Sequence, residues 1–416
     1  MTHGKRTAVL LTAALLAAAT GCSTKASNDG GGGGTTAAGD VKTGQGISGN
    51  EITLGVLTDL TGVFAALGTD ITNANTLYWE KQNKGDKVCG KYTVKLNIQD
   101  TGYVPQTGVQ QYGGMKDSIL ALQQTIGSPL NTALAPNLTS DKMINIPSAW
   151  ARNLTDTEGN TVVGATYDIE MYNGLQYALD KGLIKKGDKI GHIYFEGEYG
   201  ANGLAGSKAF AAKNGLTVVE QKIKATDKDM SSQITSFKSQ GVKAIALTVA
   251  PGQTGSVGAV ASAAGLDVPI IGNNPVFSPA LLKSPAAAAL KKNLIVASPV
   301  NSFDSQADLL KEYQAKYSGS TPSLGVVFGT GMSEVMKQIL EKACANKDLT
   351  RDGLLAAKKQ LSSVDTQGLT VPLDLSVGVG KSPSRKSYIL QPADVPGGAK
   401  LLSDQPVESA DAASLP

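Results

Sequence analysis

Apolar residues alternate with polar ones from residue 51 onward, and the spacing of the alternation changes along the chain. Residues 52–56 carry an apolar side chain at every second position, as in a strand. Residues 71–78 carry them three and four positions apart, as on one face of a helix. Further strand patterns lie at residues 94–98, 119–126 and 143–146, and a helix pattern lies at residues 131–142. Strands interspersed with helices in this way predict a parallel, doubly wound sheet.

A second series of the same kind begins after residue 167. Its helix patterns lie at residues 169–181, 202–214, 230–237 and 255–264, and its strand patterns at residues 189–194, 217–221, 244–249 and 268–271. Helical stretches at residues 305–317, 331–345 and 351–361 follow, then strand patterns at residues 368–375 and 387–390. With 416 residues, the chain is longer than one core usually organises, so we predict two α/β units.

The N-terminal stretch predicts export from the cytoplasm. Lys5 and Arg6 precede an uncharged run at residues 8–20, which is too short for a comfortable membrane span. Small residues then lead to Cys22, in a pattern that resembles the lipobox of bacterial lipoproteins. We expect a signal peptide at residues 1–21 and an acylated Cys22; the alternative is a simple secretory signal with an unmodified cysteine.

Two stretches are expected to stay outside the folded part. Residues 22–46 include five consecutive glycines at 30–34 and little apolar surface, which predicts a flexible tether. Residues 405–416 are rich in Ser, Ala, Asp and Pro, which predicts a mobile tail.

Charge and residue counts exclude several classes of function. A formal net charge of +3 is too small and too scattered to indicate nucleic-acid binding. Only His192 remains once the signal peptide with His3 is removed, so we expect no metal site, no cofactor and no histidine-dependent triad. A lone histidine on a predicted strand is usually a core or surface residue.

Two cysteines, Cys89 and Cys344, remain if Cys22 is lipidated. An even pair in an oxidising compartment favours one long-range disulfide. Because the sequence gives no distance, two buried free thiols stay open as the alternative.

The loops at the carboxyl ends of the predicted strands should hold the functional surface, since ligands of open parallel sheets bind there. These loops lie at residues 58–64, 100–103, 127–128 and 148–152, and at 196–200, 250–253 and 272–275. They carry hydroxyl, amide and aromatic side chains, which orient a ligand without transforming it. A secreted enzyme using Ser128, Ser148 and Asp168 is the alternative, but no base or nucleophile elbow accompanies them.

Four motifs resemble those of the leucine/isoleucine/valine-binding periplasmic proteins, the type I solute receptors of ABC importers. They are residues 52–68 (ITLGVLTDLTGVFAALG), Asp100, the Gly127-Ser128 pair and residues 198–200 (EYG). The resemblance spans residues 52–390. It implies two α/β lobes joined by three crossings near residues 164–168, 296–300 and 368–373. Lobe 1 would comprise residues 47–166 and 301–367, and lobe 2 residues 167–300 and 368–404.

The same resemblance implies ligand contacts in the first lobe. Ser128 matches the serine that holds the ligand carboxylate, although a serine there also suits a helix N-terminus. Ala149 matches a position whose backbone contacts the ligand. Trp150 takes the place of a smaller residue, so it either stacks on the ligand or packs at the rim of the lobe. Phe64 either walls the pocket or packs in the core.

The remaining implied contacts lie in or beside the second lobe. Tyr199 matches the tyrosine that closes over the ligand. Asn274 occupies a position where amino-acid binders often have Glu, and an amide cannot neutralise an ammonium group. Asp168 matches a carboxylate that contacts the ammonium, with a solvated hinge residue or N-cap as the alternative.

The sequence therefore predicts a monomeric, membrane-anchored lipoprotein rather than an enzyme. We expect it to capture a small polar solute, an amino acid or a related amide or amine, and to deliver it to the permease subunits of an ABC importer. The alternative is an extracellular sensor that presents its closed form to a separate membrane signalling protein.

Overall fold

A computed structural model of the protein describes residues 41–415, apart from the side chains at positions 304, 413 and 414. The predicted signal peptide, the lipidation site at Cys22 and residues 22–40 of the tether lie outside those residues. Among the helices of residues 41–415, none is both long and apolar enough to cross a membrane.

The first part of the described chain, up to residue 148, builds a sheet of five strands. The elements are β1 (Lys42–Thr43), β2 (Ile47–Ser48), β3 (Glu51–Thr58), α1 (Ala65–Lys84), β4 (Thr93–Asp100), α2 (Pro105–Met115), β5 (Ala121–Ile126), α3 (Ser128–Ser140) and β6 (Asn145–Ser148). Strands β4, β3, β5 and β6 run parallel, and β2 pairs antiparallel with the start of β3. The apolar side chains of Ile52, Leu54 and Val56 are fully buried, as the alternation predicts.

The next part of the chain builds a second sheet. The elements are α4 (Tyr167–Asp180), β7 (Lys189–Phe195), α5 (Glu198–Asn214), β8 (Thr217–Ile223), α6 (Ser231–Ser239), β9 (Ala244–Thr248), α7 (Pro251–Ala263), β10 (Ile270–Asn273), α8 (Ala287–Asn293) and β11 (Leu294–Ser298). The closing elements are α9 (Ala307–Lys316), α10 (Leu324–Ala345), β12 (Asp348–Leu349), α11 (Arg351–Lys358), β13 (Tyr388–Pro392) and β14 (Ala399–Leu401). The strand order is β14-β13-β11-β10-β9-β7-β8, parallel except at β13 and β14. The mixed α/β fold with two mainly parallel sheets is confirmed.

Helix α10 returns to the first sheet and packs along α1. The two helices approach closely at Gly329, where a Cβ atom would lie 2.6 Å from the carbonyl oxygen of Ile71. Buried polar side chains bind the layers together as well. Trp79 of α1 donates to Gln123 Oε1 of β5 at 3.1 Å, and Ser333 of α10 donates to Asn75 of α1 at 2.8 Å. A buried polar network of this kind stabilises one packing arrangement because its members are satisfied only there.

The chain passes between the two sheets three times, and the three passages lie side by side. Val371 N donates to Pro299 O at 2.9 Å, so the second and third passages are paired by backbone hydrogen bonds. Gly164, in the first passage, has φ of +137°, and a Cβ atom there would lie 2.3 Å from Pro299 Cβ. Only glycine combines that backbone conformation with so close an approach.

Several predicted element boundaries need correction. The tether ends earlier than residue 46, because Lys42 and Thr43 pair with β12 and Gly46 O accepts from Thr53 N at 2.8 Å. Residues 368–375 form isolated bridges at Thr370 and Leu373 rather than a strand. Helix α10 begins at Leu324 instead of residue 331, since Ser323 caps it through its side chain.

The C-terminal tail is packed against the second sheet, so the expectation of a mobile segment from residue 405 is wrong. Val407 and Ser387 exchange backbone hydrogen bonds at 2.8 and 2.9 Å. Ser409 N donates to the buried Asn173 side chain of α4 at 3.0 Å, and Ala412 is fully buried. The tail thus covers apolar surface on α4 that its polar composition did not indicate.

A disulfide joins Cys89, in the turn after α1, to Cys344, in the last turn of α10. The two Cα atoms lie 6.2 Å apart, and the closed loop spans 255 residues. The bridge therefore links helix α10, which packs along α1, to the part of the chain that forms the first sheet.

Candidate functional site

A cavity lies between the two sheets, at the edge where their parallel strands end. It encloses about 830 Å³ of space free of protein atoms, counting the part open to solvent. Ser128 and Ser148 line it from the first sheet, and Tyr199 and Asn274 line it from the second. The location matches the rule that ligands of open α/β sheets bind outside the carboxyl ends of the strands.

The polar end of the cavity is the start of helix α3. Gly127 precedes the helix with φ of +95°, and a Cβ atom there would lie 2.6 Å from the Tyr103 ring. No side chain caps this helix, and Pro129 in its first turn has no N–H. The remaining N–H groups of the first turn and the positive end of the helix dipole therefore form a site for negative charge.

Two serine hydroxyls at this end are buried and make no regular hydrogen bond, although the Ser128 hydroxyl lies near the Tyr167 phenol. Ser128 is 1% exposed and Ser148, at the end of β6, is 7% exposed. Neither Oγ atom makes a hydrogen bond of regular geometry within the described part of the protein. Buried hydroxyls normally have a partner, so an orphaned pair facing one cavity indicates a ligand that supplies the missing acceptor or donor.

Aromatic rings form the middle of the cavity wall. The ring centroids lie 4.9 Å apart for Phe64 and Tyr103, 4.6 Å for Tyr167 and Tyr199, and 4.8 Å for Trp150 and Phe328. Such distances and tilted geometries are those of favourable aromatic pairs.

The polar ends of two of these aromatic side chains already have partners inside the protein. Trp150 Nε1 donates to Val163 O at 2.8 Å, and the Tyr199 hydroxyl donates to Val249 O at 3.1 Å. These two residues therefore offer the cavity apolar ring surface rather than hydrogen-bond donors.

The phenols around the cavity stay protonated. Burial raises the pKa of Tyr167 well above its usual range, the charge of Glu170 adds to the effect, and the nearby Ser128 hydroxyl opposes it. Burial likewise raises the pKa of Tyr199, with Tyr167 as the next contributor, and that of Tyr103, with Asp59 as the next contributor. A ligand meets neutral rings and hydroxyls here.

The remainder of the wall is aliphatic. From the first sheet and its helices it includes Leu67, Ile71, Ile126 and Leu324, and from the second sheet Val296, Leu390 and Ala399. Among the residues that line the cavity, none carries a charge.

Two acidic residues close to this region, Asp168 and Glu170, already have partners within the protein. Asp168 Oδ2 accepts from Arg152 Nε at 2.6 Å, and Asp168 Oδ1 accepts from the Thr166 hydroxyl at 2.5 Å. Glu170 is fully buried and accepts from Asn274 N at 3.2 Å. Burial raises the pKa of Glu170 well above its usual range.

The structure brings together most of the residues that the resemblance implied. Phe64, Ser128, Trp150, Tyr199 and Asn274 all line the cavity. Ala149 is fully buried next to Trp150 but does not line the cavity. Asp168 also lies outside the lining, and its carboxylate is occupied by Arg152, so the ammonium contact expected of it has no support in the geometry.

Sequence reasoning missed several lining residues. Tyr103 belongs to the predicted loop at residues 100–103, but Tyr167 served only as the boundary at which the second predicted α/β series begins. Phe328 and Leu324 lie in a part of α10 that was not recognised as helical, because three glycines interrupt the apolar pattern there. Ser148 belongs to the predicted loop at residues 148–152 and to the alternative enzyme site, but the resemblance implied no ligand contact for it. A capping serine before an apolar run, Ser323, was the available signal for α10.

The sequence profile of the periplasmic binding proteins matches residues 51–398, most of the chain. The chain belongs to this family. Among solved structures, a fatty acid ABC transporter substrate-binding protein from Thermomonospora curvata shares 41% identity with this periplasmic binding protein. The match covers 90% of this chain and 96% of the other, with a TM-score of 0.87.

More distant structures share the fold of this periplasmic binding protein. A branched-chain amino acid ABC transporter protein from Thermus thermophilus with bound valine is 17% identical over 88% of this chain and 98% of its own, with a TM-score of 0.77. A solute-binding protein from Rhodopseudomonas palustris in complex with 3,4-dihydroxybenzoic acid is 21% identical over 86% of this chain and 98% of its own, with a TM-score of 0.70. No curated protein sequence matches the chain.

Membership defines the general role. This periplasmic binding protein is the substrate-binding component of an ABC transporter and not an enzyme, and such components work outside the cytoplasm. The prediction from its sequence motifs is confirmed at that level.

Proposed function

We propose that this protein binds a fatty acid, a monocarboxylic acid with an unbranched alkyl chain, and delivers it to an ABC importer. The observation that carries the proposal is the pair of buried hydroxyls of Ser128 and Ser148, neither with a regular hydrogen bond, at one end of an uncharged cavity whose other lining is mainly aromatic and aliphatic. One polar head and one apolar body is the shape of ligand that such a wall complements.

The carboxylate would lie at the start of α3. The hydroxyls of Ser128 and Ser148 would donate to it, and the N–H groups and dipole of the helix would supply the electrostatic attraction that no charged side chain provides. Hydrogen bonds to a charged group contribute about 1.5–3 kcal/mol each.

The alkyl chain would lie against the rings of Trp150, Tyr167 and Tyr199 and the aliphatic residues beyond them. Burying apolar area contributes roughly 25 cal/mol per Å². Most of the affinity for a long chain would therefore come from this wall, and the polar end would fix the orientation.

An amino acid fits the site less well. Its ammonium group would be buried without a counter-ion, because no charged residue lines the cavity and Asp168 is already paired with Arg152. Burying an unpaired charge costs several kcal/mol. The related structure at 41% identity is described as a fatty acid ABC transporter substrate-binding protein, which supports the same choice.

Two lobes would close to capture the ligand and open to release it. The lobes would be the segments around the first sheet and around the second, with the three adjacent passages at Gly164, Pro299 and Val371 as the hinge. Because the cavity is lined from both sides, the ligand stabilises the closed form, and that form would dock on the permease.

We also propose that a lipid on Cys22 holds the protein at the outer face of the membrane. The support is the uncharged run at residues 8–20 followed by small residues and cysteine. Metabolic labelling with a radioactive fatty acid tests it, since a Cys22→Ser variant should lose the label. Equal labelling of the variant and the natural protein would overturn the assignment.

Mass spectrometry of an organic extract of the purified protein tests the proposed ligand. We expect a fatty acid in the extract of the natural protein and much less in a Ser128→Ala, Ser148→Ala double variant. Ser140→Ala is the matched control, because Ser140 is an exposed serine at the far end of the same helix. A free amino acid as the main extracted compound would contradict the proposal.

A further inference from the structure

On the side of the second sheet, the cavity is lined by residues from neighbouring strands, and we call this part of the cavity the arm. Its lining passes from Asn274, after β10, to Val296 of β11, Leu390 of β13 and Ala399 of β14. These four strands are adjacent in the sheet. Because neighbouring strands lie about 4.8 Å apart, three steps make an arm of roughly 14 Å, about the length of an extended ten-carbon chain.

The far end of the arm is closed by residues from both halves of the protein. Gly397, in the turn between β13 and β14, forms a bridge with Ser323, the N-cap of α10. A Cβ atom at Gly397 would lie 2.6 Å from the Phe303 ring and 3.2 Å from Leu324. The turn therefore seals the arm against the start of α10 with no spare space.

Hydrogen bonds hold Ser323, the residue that contacts the Gly397 turn, in a fixed position. Its backbone N–H and its hydroxyl both donate to Asp70 Oδ2, at 2.7 and 2.6 Å. Asp70 Oδ1 accepts from the Tyr313 hydroxyl at 2.7 Å. The network fastens the start of α10 to α1 and α9, and the end of the arm cannot recede easily.

Small side chains at the end of the arm leave space there that a ligand could fill. Ala399 is 2% exposed and lines the cavity with a single methyl group. Gly325 also lines this end from α10. A larger side chain at position 399 would occupy space that the end of a ligand could otherwise fill.

We propose that Ala399 and Leu324, which both line the cavity, set the longest alkyl chain that it accepts. The inference rests on the proposed function and deepens it: the carboxylate lies at Ser128 and Ser148, and the methyl end of the chain lies at Ala399. One methylene more or less in a fitted apolar pocket changes affinity roughly tenfold or more, so the end of the arm discriminates sharply.

Calorimetric titration of the delipidated protein with hexanoate, decanoate, tetradecanoate and octadecanoate tests the proposal. In the natural protein, affinity should rise with chain length until the arm is full and then fall. Ala399→Leu should lose about tenfold or more in affinity for the longest acid that the natural protein accepts, with hexanoate affinity nearly unchanged. Leu324→Ala should shift the limit to longer acids.

The matched control is Ala393→Leu, which adds the same volume at a half-buried position in the turn between β13 and β14, outside the cavity lining. It should leave all four affinities unchanged. Equal weakening of every acid by Ala399→Leu, or an unchanged limit in both Ala399→Leu and Leu324→Ala, would overturn the chain-length role. If the natural protein bound none of the acids, the proposed function would fail and this inference with it; a fixed limit in the variants would leave that function intact.

Discussion

Arg152 and Asp168 form an ion pair at the first passage between the sheets, with Nε donating to Oδ2 at 2.6 Å. Their side chains are 16% and 3% exposed. Arg152 also donates to the Thr166 hydroxyl at 3.0 Å. The carboxylate that sequence resemblance suggested for ligand binding is thus used to neutralise a buried guanidinium beside the cavity.

An Asp168→Asn variant should lower the free energy of unfolding by about 3–5 kcal/mol, because it leaves the Arg152 charge buried without its partner. Affinity for a fatty acid should change by less than about threefold, since Asp168 does not line the cavity. Urea denaturation and calorimetric titration measure the two quantities.

Asp352→Asn is the control for this variant. Asp352 pairs with Lys142, but the two side chains are 63% and 58% exposed, so the loss should be below about 1 kcal/mol. A large loss of ligand affinity in Asp168→Asn, with stability intact, would restore the carboxylate to the binding site.

His192 should make the protein less stable in acid. The ring is fully buried between the hydroxyls of Ser207 and Thr248, each at 2.9 Å. Burial lowers the pKa of His192 to about 3, with Lys208 as a smaller contributor. The unfolded chain binds the proton from about pH 6.5 downward, so stability falls as the pH drops from there toward 3.

The loss from this one group is at most about 5 kcal/mol over that range. A His192→Gln variant removes the titrating ring. Urea denaturation between pH 4 and 7 should therefore show a shallower dependence of the unfolding free energy on pH in the variant. Parallel curves for the two proteins would contradict this account of His192.

Glu170 should act in the opposite direction. Its pKa is raised by burial, so its contribution to stability is complete below the unfolded value of 4.5. That contribution is lost as the pH rises through the folded pKa. A Glu170→Gln variant cannot ionise, so its stability relative to the natural protein should increase from pH 5 to pH 9 in thermal denaturation. A relative stability that stays constant or decreases would show that Glu170 is charged in the fold.

Removal of the disulfide should destabilise the protein without affecting ligand binding. A Cys89→Ser, Cys344→Ser double variant should lose about 2–5 kcal/mol of unfolding free energy, since the closed loop is long. Neither cysteine lines the cavity, so fatty acid affinity should be preserved. Reductant should lower the melting temperature of the natural protein and leave that of the variant unchanged. An equal response of both proteins to reductant would argue against the bridge.

The sequence was most informative where one period dominates. The alternation around Ile52, Leu54 and Val56 predicted a strand with an apolar side chain at every second position, and β3 buries all three side chains. The helix of residues 65–84 likewise contains the predicted face at Ile71 and Ala74. In both cases the apolar period and the tertiary packing agree.

The failures occurred where tertiary contacts outweigh local pattern. Residues 105–115 form α2 although two adjacent glycines, Gly113 and Gly114, weaken the helix pattern. The polar composition of the tail gave no sign that Ala412 would be buried on α4. Local composition does not report which surface a segment will meet.

The sequence predicted where the cavity lies, but it did not predict which side-chain donors in the cavity wall are already hydrogen-bonded within the protein. The loops that carry Ser128, Trp150 and Tyr199 do converge on one cavity. The hydroxyl, amide and aromatic side chains of these loops predicted a polar ligand. However, the Trp150 indole N–H and the Tyr199 hydroxyl donate to the backbone carbonyl oxygens of Val163 and Val249. Which side-chain donors remain free depends on hydrogen bonds between distant residues, and no sequence pattern contains them.

Calorimetric titration of the delipidated protein with decanoate and with leucine tests the central claim most directly. We expect one decanoate to bind per chain, with affinity reduced roughly tenfold or more by Ser128→Ala, while leucine gives no binding heat. Stoichiometric binding of leucine together with no binding of decanoate would contradict the account.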